Sequence, residues 1–133
     1  MLTTLKKLLA PVIFPLLLLG LVGCAKEKKK DEMSVQELTS NAKASLDTKR
    51  VDDAIGYLEE LIGRFPDDAH IAEYKMQLAD LYFKEAKYAA AQEVYERLNQ
   101  FYPADAQAEC SKYRSILSTF YQTLKADCDQ TAT

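Results

Sequence analysis

The chain has no tryptophan and a single histidine, His70. A zinc site of the usual His/Cys kind lacks ligands on that inventory, and a Ser-His-Asp triad has little to work with. Glycine is scarce as well. Of the four glycines, Gly20 and Gly23 sit in an apolar N-terminal stretch, so only Gly56 and Gly63 remain in the body of the chain. Neither GxGxxG nor GxxxxGK[ST] occurs, which removes the phosphate-cradling loops of the common nucleotide enzymes. Positive charge is in deficit: 17 Lys and Arg face 20 Asp and Glu, a net charge of −3. Setting aside Lys6 and Lys7 of the N-terminal stretch takes the remainder to −5. An acidic domain has no electrostatic footprint for a nucleic acid backbone. With 28% charged and 48% hydrophobic residues the composition is neither collagen-like nor disordered. The 133 residues, less a leader of 23, leave 110, enough for one domain. These absences point away from catalysis and toward a binding or scaffold protein without metal or cofactor.

What is present begins with that leader. Lys6 and Lys7 precede an apolar run from Leu8 to Leu19, broken by Pro11 and Pro15 and ending in Leu21-Val22-Gly23-Cys24. A run of roughly 15 apolar residues is short of the ~18–20 that cross a bilayer, and two prolines interrupt the helix a span would need. The pattern predicts a secretory signal over 1–23. Leu-Val-Gly-Cys resembles the lipobox of bacterial lipoproteins. That resemblance implies cleavage before Cys24, diacylglycerol on its thiol and an acyl chain on the new amine; several acyl chains suffice for stable anchoring. Ala25 follows where an Asp would hold a lipoprotein in the inner membrane. It points to the periplasmic face of the outer membrane, with the inner membrane as the alternative. Residues 24–33 then form the lipidated cysteine and a charge-dense tether, AKEKKKDEM, read as flexible and solvated. A second reading lets Lys26, Lys28, Lys29 and Lys30 touch anionic head groups. Cys110 and Cys128, if one helix carries both, stand about 27 Å apart, too far for a disulfide.

From Ser34 onward helix-compatible residues dominate. Only Pro66 and Pro103 interrupt them, 37 residues apart. A shift of 37 superposes Ala54 on Ala91, Glu59 on Glu96, Leu61 on Leu98, Phe65-Pro66 on Tyr102-Pro103 and Asp68-Ala69 on Asp105-Ala106. Self-similarity at such a period signals stacked helical hairpins. Ser34-Val-Gln-Glu37 is a capping box opening a helix at about 35–48. Further helices are predicted at about 51–64, 69–85, 88–101 and 106–125, with Asp67 or Asp68 capping the third and Asp105 the fifth. Short turns make successive helices antiparallel.

The residues at these positions resemble the tetratricopeptide repeat. Small residues stand twelve apart where paired backbones touch, Ala42 with Ala54 and Ala79 with Ala91. Leu58 and Tyr95 follow four later, and Pro66 and Pro103 twelve after the second alanine. Tyr82 fits the aromatic expected after Ala79, but Ser45 stands at the equivalent place in the first repeat. The expected fold is an all-α tetratricopeptide-like hairpin stack of about five helices over 34–133: repeat 1 about 35–66, repeat 2 about 69–103 and a partial repeat 3 about 105–126. A plain antiparallel bundle is the alternative. The units "Ala…Leu…Phe-Pro-Asp", with Leu78-Ala79 and Leu81-Tyr82-Phe83 between them, Tyr113-Arg114-Ser115-Ile116-Leu117, and Asp127-x-Asp129-Gln130-Thr131 narrow the resemblance to lipoproteins of the BamD type. Ile116 replaces the glycine usual there in that family.

That resemblance covers about the first half of the family's length. It implies a scaffold that serves outer-membrane β-barrel assembly, with barrel-assembly subunits or unfolded outer-membrane clients as partners. A scaffold for cell-wall, Tol or pilus assembly is the alternative, and an envelope enzyme the less favoured class. In such a superhelix the first helix of each pair lines the concave face. The binding candidates there are Gln36, Thr39, Lys43 and Leu46; then Glu73, Met76, Asp80 and Phe83; then Cys110, Tyr113, Leu117 and Phe120. The mixture of aromatics and a flexible Met suits an extended or amphipathic peptide. Asp52-Asp53, Glu59-Glu60 and Asp67-Asp68 read as caps and exposed faces, and His70 as exposed. The fifth helix is expected to lack a partner, leaving Tyr113, Ile116, Leu117, Phe120, Tyr121 and Leu124 open for self-association.

Overall fold

The computed structural model describes residues 29–130 apart from residue 105. The leader, Cys24, Asp105 and the last three residues lie outside the described residues, and with them the lipobox and the expected Asp105 cap. Among the described residues there are five α-helices and no strand: α1 Val35–Asp47, α2 Val51–Arg64, α3 Ile71–Lys84, α4 Tyr88–Phe101 and α5 Ala108–Gln130. Each packs against the next, giving the all-α tetratricopeptide-like stack expected from the repeat. The 37-residue shift carries the span of α2 onto that of α4.

Local signals set most boundaries. Ser34 and Glu37 close the capping box: Ser34 N–H donates to Glu37 Oε2 at 2.7 Å, and Glu37 N–H to Ser34 Oγ at 3.3 Å. The third helix starts at Ile71 rather than 69. Asp68 Oδ1 accepts the His70 N–H at 2.8 Å, so that carboxylate shapes the turn before the helix instead of capping it. The turns inside the two hairpins are alike in a way no residue type announces. Lys49 and Ala86, 37 apart, both adopt left-handed backbone, with φ of 59° and 55°. Around Lys49 its N–H donates to Leu46 O and that of Arg50 to Ser45 O. Around Ala86 the same pair runs to Phe83 O and Tyr82 O. Both are Schellman endings, for which glycine is the ordinary residue.

The core follows the repeat. Leu38, Ala42, Ala54, Ile55, Leu58, Leu61, Tyr74, Leu78 and Leu81 fill the space between α1, α2 and α3. Met76, Ala79, Ala91, Tyr95 and Leu98 do so between α3 and α4. Ala54, Ala79 and Ala91 are wholly buried; a methyl is what lets paired backbones approach closely. Each fully buried Leu contributes about 1.5–3 kcal/mol. Two findings depart from expectation. First, the tether does not run free to Met33. Lys30–Glu32 forms one turn of 3-10 helix, and Met33 is buried in the first core cluster. Second, the last helix has a neighbour. α5 lies along α4 with Ser111, Ser115 and Ser118 buried, at 4-3 spacing on one face. Ser111 Oγ meets Asn99 Oδ1 at 2.5 Å, and Gln122 Nε2 donates to Gln92 Oε1 at 2.6 Å. This seam is small and polar, so the apolar stripe of α5 faces outward: Tyr113, Ile116, Phe120 and Leu124 are 63%, 69%, 55% and 44% exposed. Cys110 and Cys128 lie on this one continuous helix, and Cys110 is a free, exposed thiol.

Candidate binding face of the helical stack

α3 and α5 are the first helices of consecutive repeats, and both pack against α4. Between them lies a groove of about 370 Å³ lined by Asp80, Phe83, Lys84, Tyr95, Tyr113, Arg114 and Leu117. Four residues expected on the concave face meet in it: Asp80, Phe83, Tyr113 and Leu117. Phe120 follows Leu117 by three residues on α5 and is not among the lining residues. Its ring lies 5.8 Å from Tyr121, which is 5.7 Å from Phe83 and stacked at 5.2 Å on Tyr88. Lys43 and Leu46 are exposed on α1, and Glu73 is exposed on α3 with Gln77 donating to it. Gln36 is exposed, whereas Thr39 is half-buried and donates to Val35 O. None of these five lines the groove.

Met76 is corrected. It is 7% exposed and packs among Ala79, Ala91, Tyr95 and Leu98, so it is core and not a binding residue. Standing three before Ala79 it shares the face that meets α4. Asp80 is present in the groove but not free. Its Oδ1 accepts the Tyr95 hydroxyl at 2.6 Å and also the Arg114 guanidinium, so one carboxylate joins α3, α4 and α5. Burial, and then the bond to Asp80, push the Tyr95 hydroxyl pKa above its ordinary value. The bond to Asp80 leads in raising that of Arg114. The groove is therefore an apolar and aromatic trough with a satisfied ionic floor. Among the described residues no buried side-chain nitrogen or oxygen lacks a partner.

Sequence reasoning missed Tyr88, Lys84 and the floor role of Arg114. Tyr88 meets Phe83 across the Schellman turn, at 5.3 Å edge to face, and no helical spacing announces that contact. A second groove, about 330 Å³, runs between α2 and α4 over Ile62, Leu78 and Val94, with Phe101 64% exposed at its rim. Of the adjacent carboxylates, Asp52, Asp53, Glu59 and Glu60 have structural partners. Asp52 pairs with Lys87 at 3.1 Å and Asp53 with Arg50 at 3.4 Å. Glu59 accepts the Tyr82 hydroxyl, and Glu60 pairs with Arg64 at 3.7 Å. His70 is exposed, with Nδ1 3.4 Å from Asp68. No group of three or more His, Cys, Asp or Glu residues is placed to hold a metal ion, and no helix is long and apolar enough to cross a membrane, among the described residues.

A family model described as "YfiO: Outer membrane lipoprotein" matches residues 31–133. The chain belongs to the YfiO family. The match starts inside the turn at Lys30–Glu32 and takes in all five helices. It agrees with the BamD-type resemblance carried by the Phe65-Pro66 and Tyr102-Pro103 units. Membership makes the chain an outer-membrane lipoprotein by family and places it in the cell envelope. A search of curated proteins gave no match.

Proposed function

We propose that this chain is a non-catalytic, lipid-anchored scaffold of outer-membrane β-barrel assembly. It is held at the periplasmic face by acyl chains on Cys24, and it binds a client or partner segment on the concave face of its repeats. The observation that carries the reading is the trough between α3 and α5. Phe83, Tyr113 and Leu117 line it, and Phe120 extends it along an exposed apolar stripe. Such a surface takes an amphipathic or extended peptide by its apolar side chains. The binding residues are then Phe83, Tyr113, Leu117 and Phe120, with Lys43, Leu46 and Glu73 as an outer, mixed extension. Membership of an outer-membrane lipoprotein family supports the setting.

The test is a pull-down of the full chain from detergent-solubilised envelopes, beside Cys24→Ser. Barrel-assembly subunits or unfolded outer-membrane proteins are expected to co-purify with the parent, and Tyr113→Ala with Phe120→Ala to weaken that capture. The Cys24→Ser protein is expected in the soluble periplasm or as unprocessed precursor. Capture of peptidoglycan-binding or Tol components instead would transfer the chain to a cell-wall scaffold. Processing and membrane retention both unchanged in Cys24→Ser would remove the anchor from the reading.

A further inference from the structure

The serine face of α5 fixes how that helix is turned. With Ser111, Ser115 and Ser118 seated against α4, the residues directed away from it include Cys110, Tyr113, Leu117, Phe120 and Leu124. Their spacing is 3, 4, 3 and 4 residues. That is the a and d spacing of a coiled-coil seam, kept over two heptads. No position of the seam carries a charge, and Ile116 and Tyr121 flank it. A large apolar side chain presents about 200 Å² when fully exposed, so at their observed exposures Tyr113, Ile116, Phe120, Tyr121 and Leu124 together offer about 500 Å². A contiguous apolar patch of that size marks an interaction site.

The flanks of the seam say what it takes. In a parallel pair, the g residue of one helix meets the e residue five positions further along the other, and opposite charges there set partner and orientation. Glu109 stands at g and Arg114 at e; the next such pair is Ile116 with Tyr121. A second copy of α5 laid parallel therefore brings Glu109, 93% exposed, to Arg114, and an aliphatic side chain to an aromatic one. Two-fold symmetry repeats both contacts. Arg114 gives Nη1 to Asp80 and is 36% exposed, so donors of its guanidinium remain for Glu109. An antiparallel copy sets g beside g and e beside e, which separates these charges and levels Cys110 with Leu124. Two copies together bury about 1,000 Å², the threshold of a specific interface, so the pair is weak and reversible.

We infer that the outward face of α5 takes the α5 of a second copy of this chain, in parallel register, with Cys110 facing Cys110. Pairing covers Tyr113, Leu117 and Phe120, so under the function proposed above a paired chain has no open face for a client; the pairing itself does not depend on that function. Cys110, a free and exposed thiol, is a built-in reporter. In the parallel pair the two Cys110 residues face each other across the seam, within the Cα separation of about 7 Å that a disulfide spans. In an antiparallel pair centred on Leu117 they stand about 21 Å apart along the axis. The full chain carrying Cys128→Ser is purified in mild detergent, oxidised with copper phenanthroline over a range of concentrations, and run on gels without reductant. A covalent dimer is expected that is absent in Cys110→Ser. It should form several-fold faster than in Cys110→Ser with Lys112→Cys, whose thiol stands outside the seam on the same helix. Leu124→Cys in the Cys110→Ser chain should link to its own copy as readily. Ile116→Glu with Phe120→Glu should remove the link through Cys110, and the Lys112→Cys comparison decides if that variant loses helicity. Cys110 linking no faster than Lys112→Cys overturns the seam. Linking only where Cys110 and Leu124→Cys are present together shows an antiparallel pair and overturns the register.

Discussion

Removing the hydroxyl of Tyr95 tests what joins α3 to α4 beneath the groove. Tyr95 is wholly buried, and its hydroxyl donates to Asp80 at 2.6 Å. A hydrogen bond to a charged acceptor contributes about 1.5–3 kcal/mol. Tyr95→Phe falls at the low end, about 1.5 kcal/mol, because Asp80 keeps Arg114 and its side chain is 30% exposed, so water replaces the lost donor. In a domain of this size that lowers the melting midpoint by about 6–12 °C. Arg114 is 36% exposed, so its ion pair with Asp80 belongs with surface pairs, at about 0.2–1 kcal/mol. Asp80→Ala removes both bonds and strands a buried phenol. It costs more than either, within the 5–15 kcal/mol that keeps such a domain folded. Thermal and urea unfolding of the three variants, followed by circular dichroism, should rank Asp80→Ala above Tyr95→Phe above Arg114→Gln. Arg114→Gln costing as much as Asp80→Ala, or Tyr95→Phe within about 0.5 kcal/mol of the parent, would refute the claim that the buried hydroxyl dominates.

Ala86→Gly should stabilise the chain. Its left-handed φ costs an alanine about 1–2 kcal/mol and glycine returns about 0.5–1 kcal/mol as lost chain freedom, so a higher unfolding midpoint is expected, and a lower one would show that the turn is unstrained. The hydroxyl pKa values of Tyr82 and Tyr95 are both raised, chiefly by burial and then by bonds to Glu59 and Asp80. Their contribution is therefore fully present below the ordinary phenol value of about 10 and lost as pH climbs beyond it; the melting midpoint should stay level from about pH 7 to 9 and fall above about 10, less steeply in Tyr82→Phe with Tyr95→Phe. The outward stripe of α5 should drive self-association of the purified chain, and Ile116→Glu with Phe120→Glu should return it to monomer in sedimentation velocity without lowering helicity; a parent that is monomeric at every concentration would refute this. Tyr121 is the wrong probe for that test, since it is stacked on Tyr88.

Helix positions, the hairpin order and most of the core were legible because they are local or periodic. The Ser34–Glu37 box, the two prolines and the 37-residue shift act over a turn or a repeat, and Ala42, Ala54, Ala79 and Ala91 mark helix contacts by spacing alone. Burial, by contrast, was decided in three dimensions. Met76 reads as a binding residue on α3 until α4 covers it, and Asp80 reads as free until Tyr95 and Arg114, 15 and 34 residues away, close on it. The left-handed Lys49 and Ala86 carry no glycine signal, because the helix-ending bonds around them hold the backbone there regardless of residue type. The segment at residues 30–33 is the clearest case. Lys-Asp-Glu-Met has the composition of a tether, and what makes it part of the fold is Arg64, whose guanidinium reaches two carbonyl oxygens 34 and 31 residues back along the chain. The orientation of α5 was settled the same way: its apolar stripe is evident from spacing, but the serines of the opposite face fit against α4, and that fit turns the stripe outward.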